Sequence, residues 1–343
     1  PSGLDIGSSF VYTARMRAEE DDNAWMDLGL QAGQVFTPTS PIDERSLFAG
    51  RDEQVRLVVD VVNQKGQHAI LYGERGVGKT SLANVLSSFL GVPGSTIVAP
   101  RVNCDSTDSF GSVWRKIFDQ IQLNRSVQLA GFGRQPEATT FSAGEILGSA
   151  STPDDVRRGL TLLSQASLPI LIVDEFDRLE EAPRRAFADT IKMLSDHAVG
   201  ATILLVGVAD SVEQLIQGHQ SVERALVQIR MPRMSEGEII RIIRLGLKRL
   251  GMSITSVAEQ RIAKLSQGLP HYTHLLGLYA SRAAVDNRTK QIDADIVRTA
   301  MARAIAGAQQ SIRSAYDFAV RSPRKENLFS AVLLACALAE TNE

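Results

Sequence analysis

Between residues 52 and 250, short apolar runs alternate with stretches in which apolar residues recur every three or four positions. That rhythm is strand followed by amphipathic helix, repeated. The strand-like runs lie at 69–72, 96–102, 169–173, 201–208 and 225–229. None alternates apolar with polar residues, so each reads as a strand buried on both faces, the habit of parallel sheets. The helical stripes are Val55, Val58, Val59 and Val62; Leu82, Val85, Leu86, Phe89 and Leu90; Phe110, Val113, Trp114, Ile117, Phe118 and Ile121; and Phe187, Ile191 and Leu194. Five strands separated by helices predict a five-stranded parallel sheet with helices on both faces.

Beyond residue 233 the pattern is wholly helical, with stretches near 238–250, 257–267, 271–286 and 293–320. Residues 1–46 have weak periodicity, an acidic cluster (Glu19, Glu20, Asp21, Asp22) and a turn-rich 37–41, and read as a mobile or partner-binding arm. The Gly-, Ser- and Thr-rich stretch 124–153 reads as a surface insertion. An apolar run at 328–339 is too short to span a bilayer and reads as a buried helix. The expected organisation is an acidic arm (1–46), an α/β domain (47–232), a helical domain (233–320), and a linker opening a further helical module (321–343).

A chain of 343 residues with 44% hydrophobic and 22% charged residues has room for two or three ordinary globular domains. Cys104 and Cys336 form neither a metal nor a redox spacing, which points to a reducing, cytoplasmic setting. The net charge of −2 hides an asymmetry: residues 1–46 hold 3 Lys+Arg against 8 Asp+Glu, and residues 233–325 hold 16 against 7. The basic rear third is a candidate surface for an anionic partner.

The chemistry is concentrated at two strand ends. After the first strand comes Gly73-Glu-Arg-Gly-Val-Gly-Lys-Thr80, which fits G-x-x-x-x-G-K-[ST], the phosphate-binding P-loop. Glycines let the backbone turn its N–H groups inward onto phosphate oxygens. Lys79 would reach the β- and γ-phosphates, Thr80 would ligate Mg²⁺, and a helix N-terminus adds its positive end. The candidate ATP contacts are thus Gly73, Glu74, Arg75, Gly76, Val77, Gly78, Lys79, Thr80 and Ser81. The third strand runs straight into Asp174-Glu175, the Walker B pattern. There Asp174 would hold Mg²⁺, and Glu175 would orient and deprotonate an attacking water.

These motifs resemble the AAA+ ATPases over roughly residues 42–306. The segment 47–52 resembles the one that precedes the first helix in the initiator (origin-recognition) and signalling (STAND) branches, which implies Phe48 against the adenine. By the same resemblance Asp210 matches the polar sensor position, and Arg224 matches the arginine finger that reaches a neighbouring subunit's nucleotide. Where many members carry a sensor arginine in the lid, this chain has His271; Gly268-Leu-Pro270 resembles the STAND relatives, whose proline packs near adenine. The apolar run at 327–339 resembles the opening helix of the winged-helix module of the initiators. The resemblance implies an oligomeric ATPase using ATP and Mg²⁺, either a motor or loader on DNA through residues 233–325 or a switch that recruits an effector protein.

Overall fold

The computed structural model describes residues 22–42, 48–89, 96–127, 137–147, 150–209, 222, 224–307, 314, 316–317, 319–320 and 328–338. Asp210 lies outside these residues.

The five strand positions form one parallel sheet. β1 (His68–Gly73) lies between β7 (Thr202–Val208) and β8 (Leu226–Arg230), and β6 (Leu168–Asp174) lies on the far side of β7. The second strand is split into β2 (Ile97–Val98) and β3 (Arg101–Asn103), both paired with β6. Pro100 lies in the break and has no N–H to give a ladder, although its carbonyl still accepts from Ile172 at 3.0 Å. Period-two geometry then sorts the strands' apolar residues. Ile70, Leu171, Val173, Ile203 and Leu205 face one layer, with α4 (Phe110–Asp119), α6 (Pro153–Leu163) and α7 (Glu181–Asp196). Ala69, Leu71, Ile170, Ile172, Leu204 and Val206 face the other, with α2 (Asp52–Val62) and α3 (Lys79–Phe89). Trp114 is fully buried among Phe110, Phe118 and Phe187, with ring centroids 5.5–6.1 Å away.

Helix ends are set locally. Ser109, Thr152 and Ser235 each close a capping box that starts α4, α6 and α8 (Glu236–Arg249). In the stretch expected as an insertion, β4 (Gln122–Val127) and β5 (Glu137–Ser142) pair as an antiparallel ribbon followed by α5 (Ala143–Leu147). Composition hid this ribbon, because Ser- and Thr-rich strands carry no apolar period.

α8, α9 (Ser256–Ser266), α10 (Pro270–Asp286) and α11 (Ala294–Ala306) build a separate core, with a short parallel pair β9 (Ser253–Ile254) and β10 (Gln291–Ile292). The last of these helices stops at Ala306, capped by Gly307, and residues 314, 316–317 and 319–320 are again helical.

Residues 22–42 depart from a mobile arm. A helix over 22–35, α1, lies on this helical core and buries Ala32 and Val35, and Phe36 follows at 1% exposure. The Phe36 ring fits only because Gly246 and Gly277 face it; a Cβ at either would come within 2.4 or 2.6 Å of the ring. α12 (Phe329–Leu338) also departs from expectation, since Phe329, Val332, Leu333 and Leu334 are exposed rather than buried. Apolarity calls for a cover without saying what supplies it. No helix among the described residues is long and apolar enough to cross a membrane.

Candidate nucleotide site

β1 ends at the sheet edge, and the loop 73–78 wraps back to start α3. Three of its glycines take backbone angles that side chains resist: Gly73 (φ 148°), Gly76 (φ 88°) and Gly78 (φ 94°). Gly73 is also pressed from outside, where a Cβ would meet the Met231 carbonyl at 2.5 Å. The Lys79 ammonium is buried inside the loop and donates to the carbonyls of Gly73 and Glu74, both at 2.8 Å. Burial pulls its pKa down to about 8, against the opposing pull of Asp177, Asp174 and Glu74. A buried cation held inside a glycine loop by two carbonyls fits a phosphate chain.

β6 brings Asp174 to the same edge. Its Oδ2 accepts from Thr80 Oγ1 at 2.8 Å, and its Oδ1 accepts from the Glu175 N–H at 2.8 Å. A threonine hydroxyl and a buried carboxylate side by side are the donor set that Mg²⁺ takes alongside phosphate oxygens, and these residues fit it. Among the described residues no group of three His, Cys, Asp or Glu could hold a metal unaided. Glu175 adopts the left-handed region (φ 55°), uncommon for a glutamate and frequent at functional turns. Its carboxylate turns outward to Arg178 at 2.8 Å, with both side chains about half exposed. Solvent screening makes that a weak tether. Asp177 accepts from the Val208 N–H at 2.8 Å and so ties this turn to the end of β7.

The helical domain closes over the loop. Cβ atoms added at Gly76 and Gly78 would lie 3.8 Å from Leu269 and 3.7 Å from Pro270. Arg233 forks onto Glu74 at 2.6 and 3.0 Å, which holds the Glu74 carboxyl below its usual range. The strap after Phe36 spans both bodies: the Thr37 N–H donates to His274 Nδ1 at 3.3 Å, Pro38 O lies 2.7 Å from His271 Nδ1, and the Ile42 N–H donates to Ser81 Oγ at 3.1 Å. Phe48 is partly buried against the α2–α3 side of the sheet. Arg224 is exposed in the turn before β8.

Three side chains that the sequence did not single out matter here. Arg51 (φ 64°, 2% exposed) donates to Val77 O at 2.9 Å and Pro232 O at 2.5 Å, fastening the loop to the start of the helical domain. Its burial lowers its pKa. Arg101, on β3, bonds Asp174 Oδ2 at 3.0 Å. Asn84, on α3, holds Arg101. A charge inside the apolar run 96–102 was the available signal for Arg101. The basic stripe of α8 is partly engaged: Arg241 pairs with Asp52 at 2.9 Å, and Arg244 forks onto Glu259 at 2.7 Å.

An AAA domain family model matches residues 62–216. Among solved structures, the Aeropyrum pernix ORC2 protein in ADPNP and ADP complexes superposes at TM-score 0.56 and 16% identity, covering 82% of this chain and 74% of that one. The Aeropyrum pernix ORC1 protein in complex with DNA gives 0.52 and 18%, covering 78% and 68%. A variant of Thermotoga maritima RuvB gives 0.50 and 19%, covering 87% and 89%. A search of curated protein sequences finds no match. At these identities the likeness establishes the fold.

Proposed function

We propose that this chain, whose fold is that of the AAA+ P-loop ATPases, binds ATP with Mg²⁺ and hydrolyses it, and works as an oligomer associated with DNA. The observation that carries the ATP reading is the meeting of the adjacent Lys79 and Thr80 with Asp174, 94 residues further on, at one sheet edge. Lys79 and the loop N–H groups hold the phosphates, and Thr80 and Asp174 hold Mg²⁺. An ion held there would supply positive charge to the phosphates. Glu175, freed from Arg178, orients a water and takes its proton. Asp210 and Arg224 complete the site, the latter from a neighbouring copy. Phe48 and Pro270 flank the base. The test is nucleotide binding and turnover: Lys79→Ala should lose ATP binding, and Glu175→Gln should bind but hydrolyse at least about a hundredfold more slowly. Wild-type turnover by Glu175→Gln refutes the catalytic assignment.

The DNA association is supported by the basic rear third and by the fold shared with an ORC1 protein solved on DNA. A second reading, a nucleotide-controlled switch that recruits an effector protein, is favoured by the engagement of Arg241 and Arg244 in ion pairs and by His271 standing at the lid. Salt-sensitive retention of DNA separates the two.

A further inference from the structure

We infer that Arg101 is a built-in counter-ion at the metal position, one that Mg²⁺ must displace from Asp174. The inference rests on the Mg-nucleotide reading above.

Asp174 is almost wholly buried, and a buried carboxylate needs a cation beside it. Thr80 Oγ1 and Arg101 Nη2 both donate to the same oxygen, Oδ2, at 2.8 and 3.0 Å. Thr80 and Asp174 are the pair that would ligate the ion, so the guanidinium and a divalent cation compete for one oxygen. The placement of Arg101 is built rather than incidental. Its N–H donates to Gln120 Oε1 at 3.1 Å, and its carbonyl accepts from Gln120 Nε2 at 2.9 Å, so the backbone is pinned to the end of α4. The guanidinium is held by Asn84 from α3 and by Asn103 Oδ1 at 3.1 Å. Only the side chain is left to move. It is also incompletely satisfied, because its buried Nε finds no acceptor. A guanidinium with a spare donor and two neutral amide partners can leave the carboxylate without being stranded. Like charges repel, so a divalent ion seated at Thr80 and Asp174 drives Arg101 off Oδ2. Asp174 thus stays neutralised and aimed while the site is metal-free. The metal requirement of the protein is then set partly by Arg101. Arg101 is a positioning residue, not a catalytic one.

The test titrates Mg²⁺ against the full chain holding a fluorescent, non-hydrolysable ATP analogue, with Mn²⁺ binding by electron paramagnetic resonance as a direct second readout. Arg101→Met, which keeps the length and removes the charge, should lower the half-saturating Mg²⁺ and Mn²⁺ concentrations about tenfold. Arg101→Lys should fall between. Should Arg101→Met fail to fold, judged by circular dichroism and melting, Asn84→Ala serves: it loosens the guanidinium without touching Asp174 and should shift the midpoint in the same direction. A midpoint that moves by less than threefold, or upward, in a folded variant overturns the counter-ion assignment. A wild-type chain that binds the analogue with no dependence on divalent ions instead overturns the Mg-nucleotide reading itself, so the two failures are distinguishable.

Discussion

Phe36→Ala should undock the N-terminal helix while leaving the helical domain folded. Phe36 is 1% exposed, seated against Gly246 of α8 and Gly277 of α10, with its ring edge toward His274 at 5.9 Å. Truncating a buried phenylalanine costs about 3–5 kcal/mol when the surroundings cannot collapse. Here the socket belongs to α8 and α10 and Phe36 belongs to the segment that docks on them, so the loss falls on docking and is capped by the docking free energy. We take about 3 kcal/mol, the lower end, which is about two orders of magnitude in the undocking equilibrium. Hydrogen exchange read by mass spectrometry separates the outcomes by peptide. Amides of α1 should lose about a hundredfold in protection, while α8–α11 change by less than about threefold. Gly277→Ala should act the same way from the other side, since its Cβ would sit 2.6 Å from the ring. The strap then loses its anchor, so the bond from Ile42 to Ser81 should weaken and nucleotide affinity should fall with it. Unchanged protection of α1 would refute the socket. Equal loss in α1 and α8–α11 would mean that the helix is part of that core instead of docked upon it.

Other consequences can be tested separately. His68 and His274 are buried, and burial pulls each pKa from 6.5 down to about 4. The folded chain holds both neutral while the unfolded chain protonates them, so stability present above pH 6.5 should fall as pH drops toward 4, by about 3 kcal/mol for each at most. The urea midpoint should fall with acid across that window, and His274→Gln should flatten the dependence; a pH-independent midpoint refutes it. If Arg224 acts in a neighbour's site, Arg224→Ala should keep ATP binding and lose hydrolysis, and mixing it with Glu175→Gln should restore part of the activity. A dead mixture that demonstrably co-assembles moves the assignment to Arg230 or removes the need for a neighbour. DNA retained at low salt should be released steeply as salt rises, and Lys248→Glu should flatten the slope by about one counterion. Arg241→Ala should disturb the Asp52 contact more than DNA binding. No retention with or without ATP moves the function to the switch.

What the sequence disclosed divides along a physical line. The P-loop and Asp174-Glu175 were legible because each is a short run whose chemistry depends on fixed spacing next to a strand, and the sheet was legible because buried strands leave uninterrupted apolar runs. Arg101 and Arg51 were not, because Asp174 lies 73 residues from the first, and Val77 and Pro232 lie 26 and 181 from the second, and spacing says nothing about such pairs. Yet Arg101 broke a local rule in plain view, as a charge inside a buried strand run, whereas the left-handed turn of Arg51 shows only in the structure. The segment 22–36 was hidden too: an acidic, weakly periodic stretch concealed Phe36, whose socket is made by two glycines more than 200 residues on. A residue that violates its local pattern costs stability unless something distant offsets it. In this chain the offsets converge: Arg51 fastens the loop to the helical domain, the strap fastens the same domain to Ser81, and Arg101 occupies the carboxylate that the loop's threonine also touches. The helical domain and the Asp174 carboxylate are thus both tied to the same loop through a few side chains, and each tie can be cut singly.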